Sequence, residues 1–193
     1  MSRRITANFY MTLDGYGEFP DYPGSDASPD QPSEAWSEMW ARRYDSVDTV
    51  IFGRRSFEGH IAVHTEKARK PDDKWYLFDY SRWLDRVQKV LISRTIKETA
   101  WQPTRIMSGD LKEIVATLKS EPGKDIILDG GPALVGEFVR QGLVDDYRMA
   151  VWPVIYGRGN HYWGSMLSQQ TLKLVSVKEL SFGRLFLHYE AVR

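Results

Sequence analysis

Three times along this chain an apolar run ends in a turn suited to an anion. Residues 49–52 lead into Gly53-Arg54-Arg55-Ser56, residues 89–92 into Ser93-Arg94-Thr95, and residues 125–128 into Asp129-Gly130-Gly131-Pro132. Short apolar runs rich in Val and Ile, without polar alternation, read as strands covered on both faces, the habit of parallel sheets. Parallel strands need long crossovers, usually helical. Segments with helical spacing do separate these runs. Residues 33–44 have Ser33 as N-cap and Trp36, Met39, Trp40 and Tyr44 at helical spacing. Residues 56–59 read as a short helix, and 75–87 as one carrying Trp83 and Leu84. Asp110 caps a helix through 118, and Pro132 opens one over 132–141.

Further strands are expected at residues 5–13, at 106–107 and at 147–155. Pro153 places the last of these near an edge or a bulge. Residues 171–178 and 185–191 read as a closing antiparallel pair. Together these give an α/β fold: a three-layer sandwich with a mostly parallel central sheet and an antiparallel C-terminal strand pair, in one domain over residues 1–193. Ligands of such sheets bind outside the carboxyl ends of the strands, so the three turns would share one edge.

Composition narrows the chemistry. Lys plus Arg and Asp plus Glu both number 26, so there is no basic excess for nucleic acid. Cysteine is absent, which excludes disulfides, thiol nucleophiles and cysteine metal sites. His60, His64, His161 and His188 lack metal-ligand spacing and read as surface or packed residues. No stretch approaches the roughly 20 apolar residues of a membrane helix, and the start lacks the apolar core of a signal peptide. The expectation is a cytoplasmic protein with a small-molecule substrate and no metal, nucleic acid or membrane partner.

The turns suggest a dinucleotide. Arginine holds phosphate in bidentate fashion, and glycines let backbone N–H groups at a helix start approach it. Gly53, Arg54, Arg55, Ser56, Ser93, Arg94, Thr95, Gly130, Gly131, Pro132, Ala133 and Leu134 are the cofactor candidates, with Gly15 leaving room for a flat ring. Each has a plainer alternative: Arg54 and Arg55 can be solvated first-turn residues, and the glycines can serve turn geometry alone. A reaction in such a cleft can also need a proton, and the candidate carboxylates are Asp14, Asp129 and Glu34. Asp14 can equally be a turn residue and Asp129 a helix cap. Thr12 and Trp36 are the substrate-side candidates, Trp36 with core packing as its alternative. The polar residues 16–32 suit a lid.

The ordered motifs resemble the dihydrofolate-reductase-like superfamily. Within it they are most similar to the reductase domain of the bifunctional riboflavin-biosynthesis deaminase/reductase and its stand-alone relatives. The matching text is Met11-Thr12-Leu13-Asp14-Gly15, Val50-Ile51-Phe52-Gly53-Arg54-Arg55-Ser56-Phe57-Glu58, Val90-Leu91-Ile92-Ser93-Arg94-Thr95, Ile127-Leu128-Asp129-Gly130-Gly131-Pro132-Ala133-Leu134, Leu143-Val144-Asp145-Asp146 and Pro153-Val154-Ile155-Tyr156-Gly157-Arg158-Gly159. The resemblance implies an NADPH-dependent reductase acting on a nitrogen heterocycle or a ribosylamino-pyrimidine. It also implies a homodimer paired through the C-terminal strands, and a cis peptide at Gly130-Gly131. Dihydrofolate reductases proper place an acid early in the helix before the first arginine turn. Here that region offers Glu34 and Glu38, neither in a matching motif, so dihydrofolate or a pterin is the alternative substrate and not the first reading. A non-catalytic nucleotide-binding dimer is the other alternative.

Overall fold

The computed structural model describes residues 2–17, 35, 37–41, 44–68, 75–164, 166 and 169–192. Eight strands form one sheet in the order β5-β4-β3-β6-β1-β7-β10-β9. They are β1 (Ile5–Thr12), β3 (Val47–Gly53), β4 (Gln88–Ile92), β5 (Thr104–Met107), β6 (Asp125–Asp129), β7 (Asp146–Trp152), β9 (Leu172–Leu180) and β10 (Arg184–Ala191). The first six in that order, β5 through β7, are parallel; β10 runs antiparallel to β7, and β9 antiparallel to β10. Two further strands, β2 (Tyr16–Gly17) and β8 (Asn160–His161), pair with each other outside the sheet.

Helices α1 (Arg54–His64) and α2 (Trp75–Arg86) cover one face, and α3 (Leu111–Ser120) and α4 (Gly131–Arg140) the other. The central strands are therefore buried on both sides. Val50, Ile51 and Phe52 of β3 and Ile126, Ile127 and Leu128 of β6 are all fully buried, which is why these runs are apolar without alternation. On β1, Ile5, Ala7 and Phe9 face the α3/α4 core, while Tyr10 packs on the α1/α2 side.

Ionic contacts stitch the amino end of the sheet. Arg3 bonds Asp48, the Thr49 hydroxyl (2.5 Å) and the carbonyls of Lys124 (2.6 Å) and Leu118 (3.2 Å). Asp145 Oδ2 accepts from Ile5 N (2.7 Å) and Lys119 Nζ (2.5 Å). Asp110 Oδ1 accepts from Lys112 N and Glu113 N, capping α3 as expected.

The structure corrects four local expectations. The first arginine turn opens a helix that runs from Arg54 to His64, longer than the turn over 56–59. β7 stops at Trp152, so Pro153 lies beyond the strand, and β7 is internal to the sheet rather than at its edge. A proline without an N–H ends the ladder there. Ser37–Ala41 is a π-helical turn. The β2–β8 pair, only two residues per strand, carries too little pattern to be expected.

Among the described residues no helix is long and apolar enough to cross a membrane. Lys89 is an unusual core member. It is fully buried, donates to the carbonyls of Leu84 (2.6 Å) and Val87 (3.1 Å) at the end of α2, and lies 4.9 Å from the centre of the Trp101 ring. Burial lowers its pKa from 10.5 to about 8, with Asp85 opposing. The folded chain thus binds fewer protons than the unfolded one between those values, so this site adds stability as pH rises from about 8 towards 10.5 and none below. Chemical denaturation of wild type and Lys89→Met at pH 7 and pH 9.5 should show the wild type gaining roughly 1–2 kcal/mol relative to the variant at the higher pH. An identical difference at both values would refute this role.

Candidate active site

Parallel strands bring turns that are far apart in sequence to one edge. The carboxyl ends of β1, β3, β4 and β6 border a cleft of about 1010 Å³. Its lining includes Gly53, Arg54, Arg55 and Ser56 at the start of α1, and Asp129, Gly130, Gly131, Pro132, Ala133 and Leu134 at the start of α4. Neither helix start has a side-chain cap, so first-turn N–H groups remain for a ligand. The two turns are locked together. A Cβ on Gly53 would lie 3.0 Å from the carbonyl oxygen of Gly130, and one on Gly130 would lie 2.9 Å from Leu134. Ser56 Oγ donates to the carbonyl oxygen of Asp129 at 2.8 Å. Gly131 has φ 68, a left-handed value that glycine takes without strain.

The Gly130-Gly131 peptide is trans, and the cis bond among the described residues is Gln102-Pro103. This corrects the expectation of a cis glycine pair. The positive φ of Gly131 turns the chain there, and the groove beside it stays open.

The far wall comes from the β2–β8 pair. Tyr162 packs on Phe9 at 4.6 Å between ring centres, and both line the cleft. A Cβ on Gly17 would fall 2.6 Å from Pro132 and 2.9 Å from Tyr162, so a side chain there would push the pair off α4. The floor is Asn8, Tyr10 and Trp40, with His60 and His64 of α1.

Other candidates are placed differently. Ser93 Oγ accepts from Thr95 N (3.2 Å) and Ile96 N (3.0 Å), closing the turn after β4. Ile92 lines the cleft, while Ser93, Arg94 and Thr95 follow just beyond the lining. Gly15 has φ 84 and lies against His161, where a Cβ would come within 2.9 Å of Nε2, so its position serves the β1–β2 turn. Thr12 and Asp14 also lie outside the cleft lining. Asp14 accepts from Thr12 Oγ1 (2.7 Å), Tyr156 N (3.0 Å) and Gly157 N (2.8 Å). Glu34, Trp36 and most of residues 16–32 lie outside the described residues.

Sequence reasoning missed His60. Read there as a surface or packed residue, it lines the cleft with Nε2 3.1 Å from Asp129 Oδ2. The available signal was its place one helical turn after Ser56 in the first arginine turn. Its partner, on another strand, left no trace near it. The Asp129 charge reaches further. Burial first, then that charge, pushes the Tyr10 and Tyr80 hydroxyls upward, so both stay neutral.

The Thr12 hydroxyl and the two amides hold the Asp14 carboxyl at about 2, burial opposing. Its folded pKa lies below the ordinary 3.8. The stabilisation is therefore complete above that value and disappears as pH falls through about 2. Asp14→Asn should lower the melting temperature by a few degrees at neutral pH, and the gap should close as pH approaches 2. Thermal unfolding across that range checks it. A gap independent of pH would remove Asp14 from the turn's electrostatics.

Known proteins place this architecture. Residues 3–186 match the RibD C-terminal domain family. The uncharacterised Bacillus subtilis protein YyaP is 30% identical over 187 residues, 94% of this chain and 91% of that protein. Among solved structures, a provisionally named riboflavin biosynthesis protein of Shewanella sp. PV-4 aligns over 100% of both chains with TM-score 0.74 at 18% identity. Dihydrofolate reductase from Enterococcus faecalis, solved with NADP(H), aligns over 100% of both chains with TM-score 0.57 at 11% identity. The mostly parallel sheet with its antiparallel edge pair and flanking helices is thus a dihydrofolate-reductase-like fold, and the chain belongs to the RibD C-terminal domain family.

Proposed function

We propose that this protein is an NADPH-dependent reductase that transfers hydride to a nitrogen heterocycle or a ribosylamino-pyrimidine. The observation that carries this is the meeting of two uncapped helix starts, Gly53–Ser56 with its two arginines and Gly130–Leu134, on one cleft. Backbone N–H groups and helix dipoles at such starts favour a pyrophosphate. Arg54 and Arg55 add fixed positive charge at the same end, and Arg94 stands on the neighbouring strand end. NADP(H) bound to the Enterococcus faecalis enzyme supports the cofactor, and membership of the RibD family supports the substrate class.

In this reading the bound nicotinamide supplies hydride, and the protein holds, orients and shields the reactants. Asn8, Tyr10, Trp40 and Tyr162 give the apolar walls and few polar groups that suit a flat ring. The same cleft would accept dihydrofolate or a pterin, so the substrate screen includes them. A cytoplasmic location, where NADPH is abundant, goes with this reading.

A homodimer also belongs to it. β9 is a nine-residue edge strand that exposes Leu174, Val175 and Val177, with Leu185 beside them on β10. An apolar edge of this kind invites another strand unless covered, and a second copy of the chain would cover it through the C-terminal strands.

Three experiments test the proposal. Calorimetric titration should find NADPH bound more tightly than NADH, and the Arg54→Ala/Arg94→Ala double variant should lose roughly tenfold or more in NADPH affinity with little change for NADH. Equal binding of both cofactors by wild type and variant would sink the assignment. NADPH oxidation is then followed with 5-amino-6-(5-phosphoribosylamino)uracil, dihydrofolate and pterins. Light scattering at micromolar concentration should give twice the monomer mass, and Val177→Lys should shift it to monomer. A monomeric wild type would defeat the dimer.

A further inference from the structure

The contacts around His60 favour a proton that two isolated groups would not share at neutral pH. Nδ1 lies 2.8 Å from the carbonyl oxygen of Ser56. A carbonyl oxygen only accepts, so Nδ1 carries a hydrogen. Nε2 lies 3.1 Å from Asp129 Oδ2 and 3.2 Å from the Tyr80 hydroxyl. A neutral ring protonated at Nδ1 would turn the Nε2 lone pair towards a carboxylate oxygen, which repels it. The 3.1 Å contact with Asp129 is favourable with a proton between them, as imidazolium with carboxylate or imidazole with carboxylic acid, whereas a neutral ring would take the Tyr80 hydroxyl proton and leave the carboxylate unanswered. In either form the pair holds one proton more than a neutral histidine beside an ionised aspartate.

The surroundings keep that proton at the pair and the pair at the cleft. Each side chain is about four-fifths covered, at 18% and 19% exposure. The Phe52 ring lies 4.7 Å from the imidazole, centre to centre. The groups facing His60 are Asp129 from β6, Tyr80 from α2 and His64 from its own helix, ring centres 5.3 Å apart in the last case. Tyr10 of β1 is coupled to the same carboxylate. Burial pulls the His60 pKa down, but the Asp129 charge and hydrogen bonds outweigh it and the net direction is upward. A complementary group lies on the cleft floor. Asn8 is 2% exposed and donates through Nδ2 to the Met39 carbonyl (3.0 Å), and its Oδ1 has no hydrogen-bond partner among the described residues. A buried amide oxygen without a partner among the described residues thus lies on the same cleft floor as the pair.

We propose that the His60–Asp129 pair is the proton source for the compound reduced in this cleft. The inference rests on the reductase reading above. Hydride leaves the reduced nicotinamide and adds to the carbon of a C=N bond, while the shared proton moves from the pair to the nitrogen. The nicotinamide is oxidised by two electrons and the C=N becomes CH–NH. Nε2 and Oδ2 then face each other with lone pairs alone, and the pair regains its proton from water.

Nitrogen-15 NMR titration of the full-length chain reads the stored proton without turnover. His60 should titrate above the ordinary value of about 6.5, and Asp129→Asn should return it to that value or below. Steady-state NADPH oxidation with 5-amino-6-(5-phosphoribosylamino)uracil reads its use. His60→Gln should lower kcat roughly 100-fold or more, change the KM for NADPH less than about threefold, and abolish the alkaline decline in kcat that follows the pair's midpoint. An unshifted His60 in the wild type, or wild-type kcat in His60→Gln, overturns the proposal. Failure of the wild type to bind NADPH would defeat the reductase reading instead, and the titration would still decide whether the pair stores a proton.

Discussion

The hydrogen bond from Ser56 Oγ to the carbonyl oxygen of Asp129 joins residues 73 apart in sequence, and the geometry of the cleft depends on it. β3 and β6 are parallel neighbours, with Phe52 opposite Asp129. Each strand ends at a helix start, and those helices leave on opposite faces of the sheet. The serine bond and the contact between Gly53 and Gly130 hold both starts against each other. One helical turn further on, the same arrangement sets His60 against Asp129. Anion recognition and proton chemistry therefore share a single structural joint.

Charge is separated along the sheet. At the amino end, Arg3 with Asp48, Lys119 with Asp145 and Arg4 with Asp146 bind strand starts to neighbouring loops. Removing one partner of a largely buried pair leaves a charge uncompensated, which is why such contacts fix strand register. At the carboxyl end, Arg54 and Arg55 are exposed, while Asp129 sits inside among Tyr10, Tyr80 and His60. Ion pairs between strand starts and loops thus mark one edge of the sheet, and the cleft marks the other.

The aromatic residues divide in a similar way. Trp40 packs on Tyr80 at 4.9 Å and Trp83 packs on Tyr44 at 5.1 Å, filling the α1/α2 side of the core. Of these, Trp40 also lines the cleft. Packing and pocket are therefore served by one cluster, and a substitution at Trp40 would disturb both.

Much of this architecture was legible in the sequence because its causes are local. Apolar runs such as Ile126-Ile127-Leu128 mark strands covered on both faces, Asp110 announces a helix by offering two bonds to its first turn, and Gly130-Gly131-Pro132 permits a tight entry to α4. The turns fell on one edge because parallel strands leave no other arrangement. What depended on strand order could not be read. Asp14 has the form of an ordinary turn residue or of a catalytic acid, and only the arrival of Tyr156 and Gly157, more than 140 residues away, commits its carboxylate to backbone amides. Near it in sequence His60 meets the Ser56 carbonyl and the His64 ring, and its carboxylate partner, Asp129, reaches it because β6 lies beside β3. Local sequence determines which backbone conformations and caps are favourable within a few residues. Which side chains share a proton is decided by tertiary contact, because hydrogen bonds and unscreened charges act over a few ångströms of space, whatever the separation along the chain.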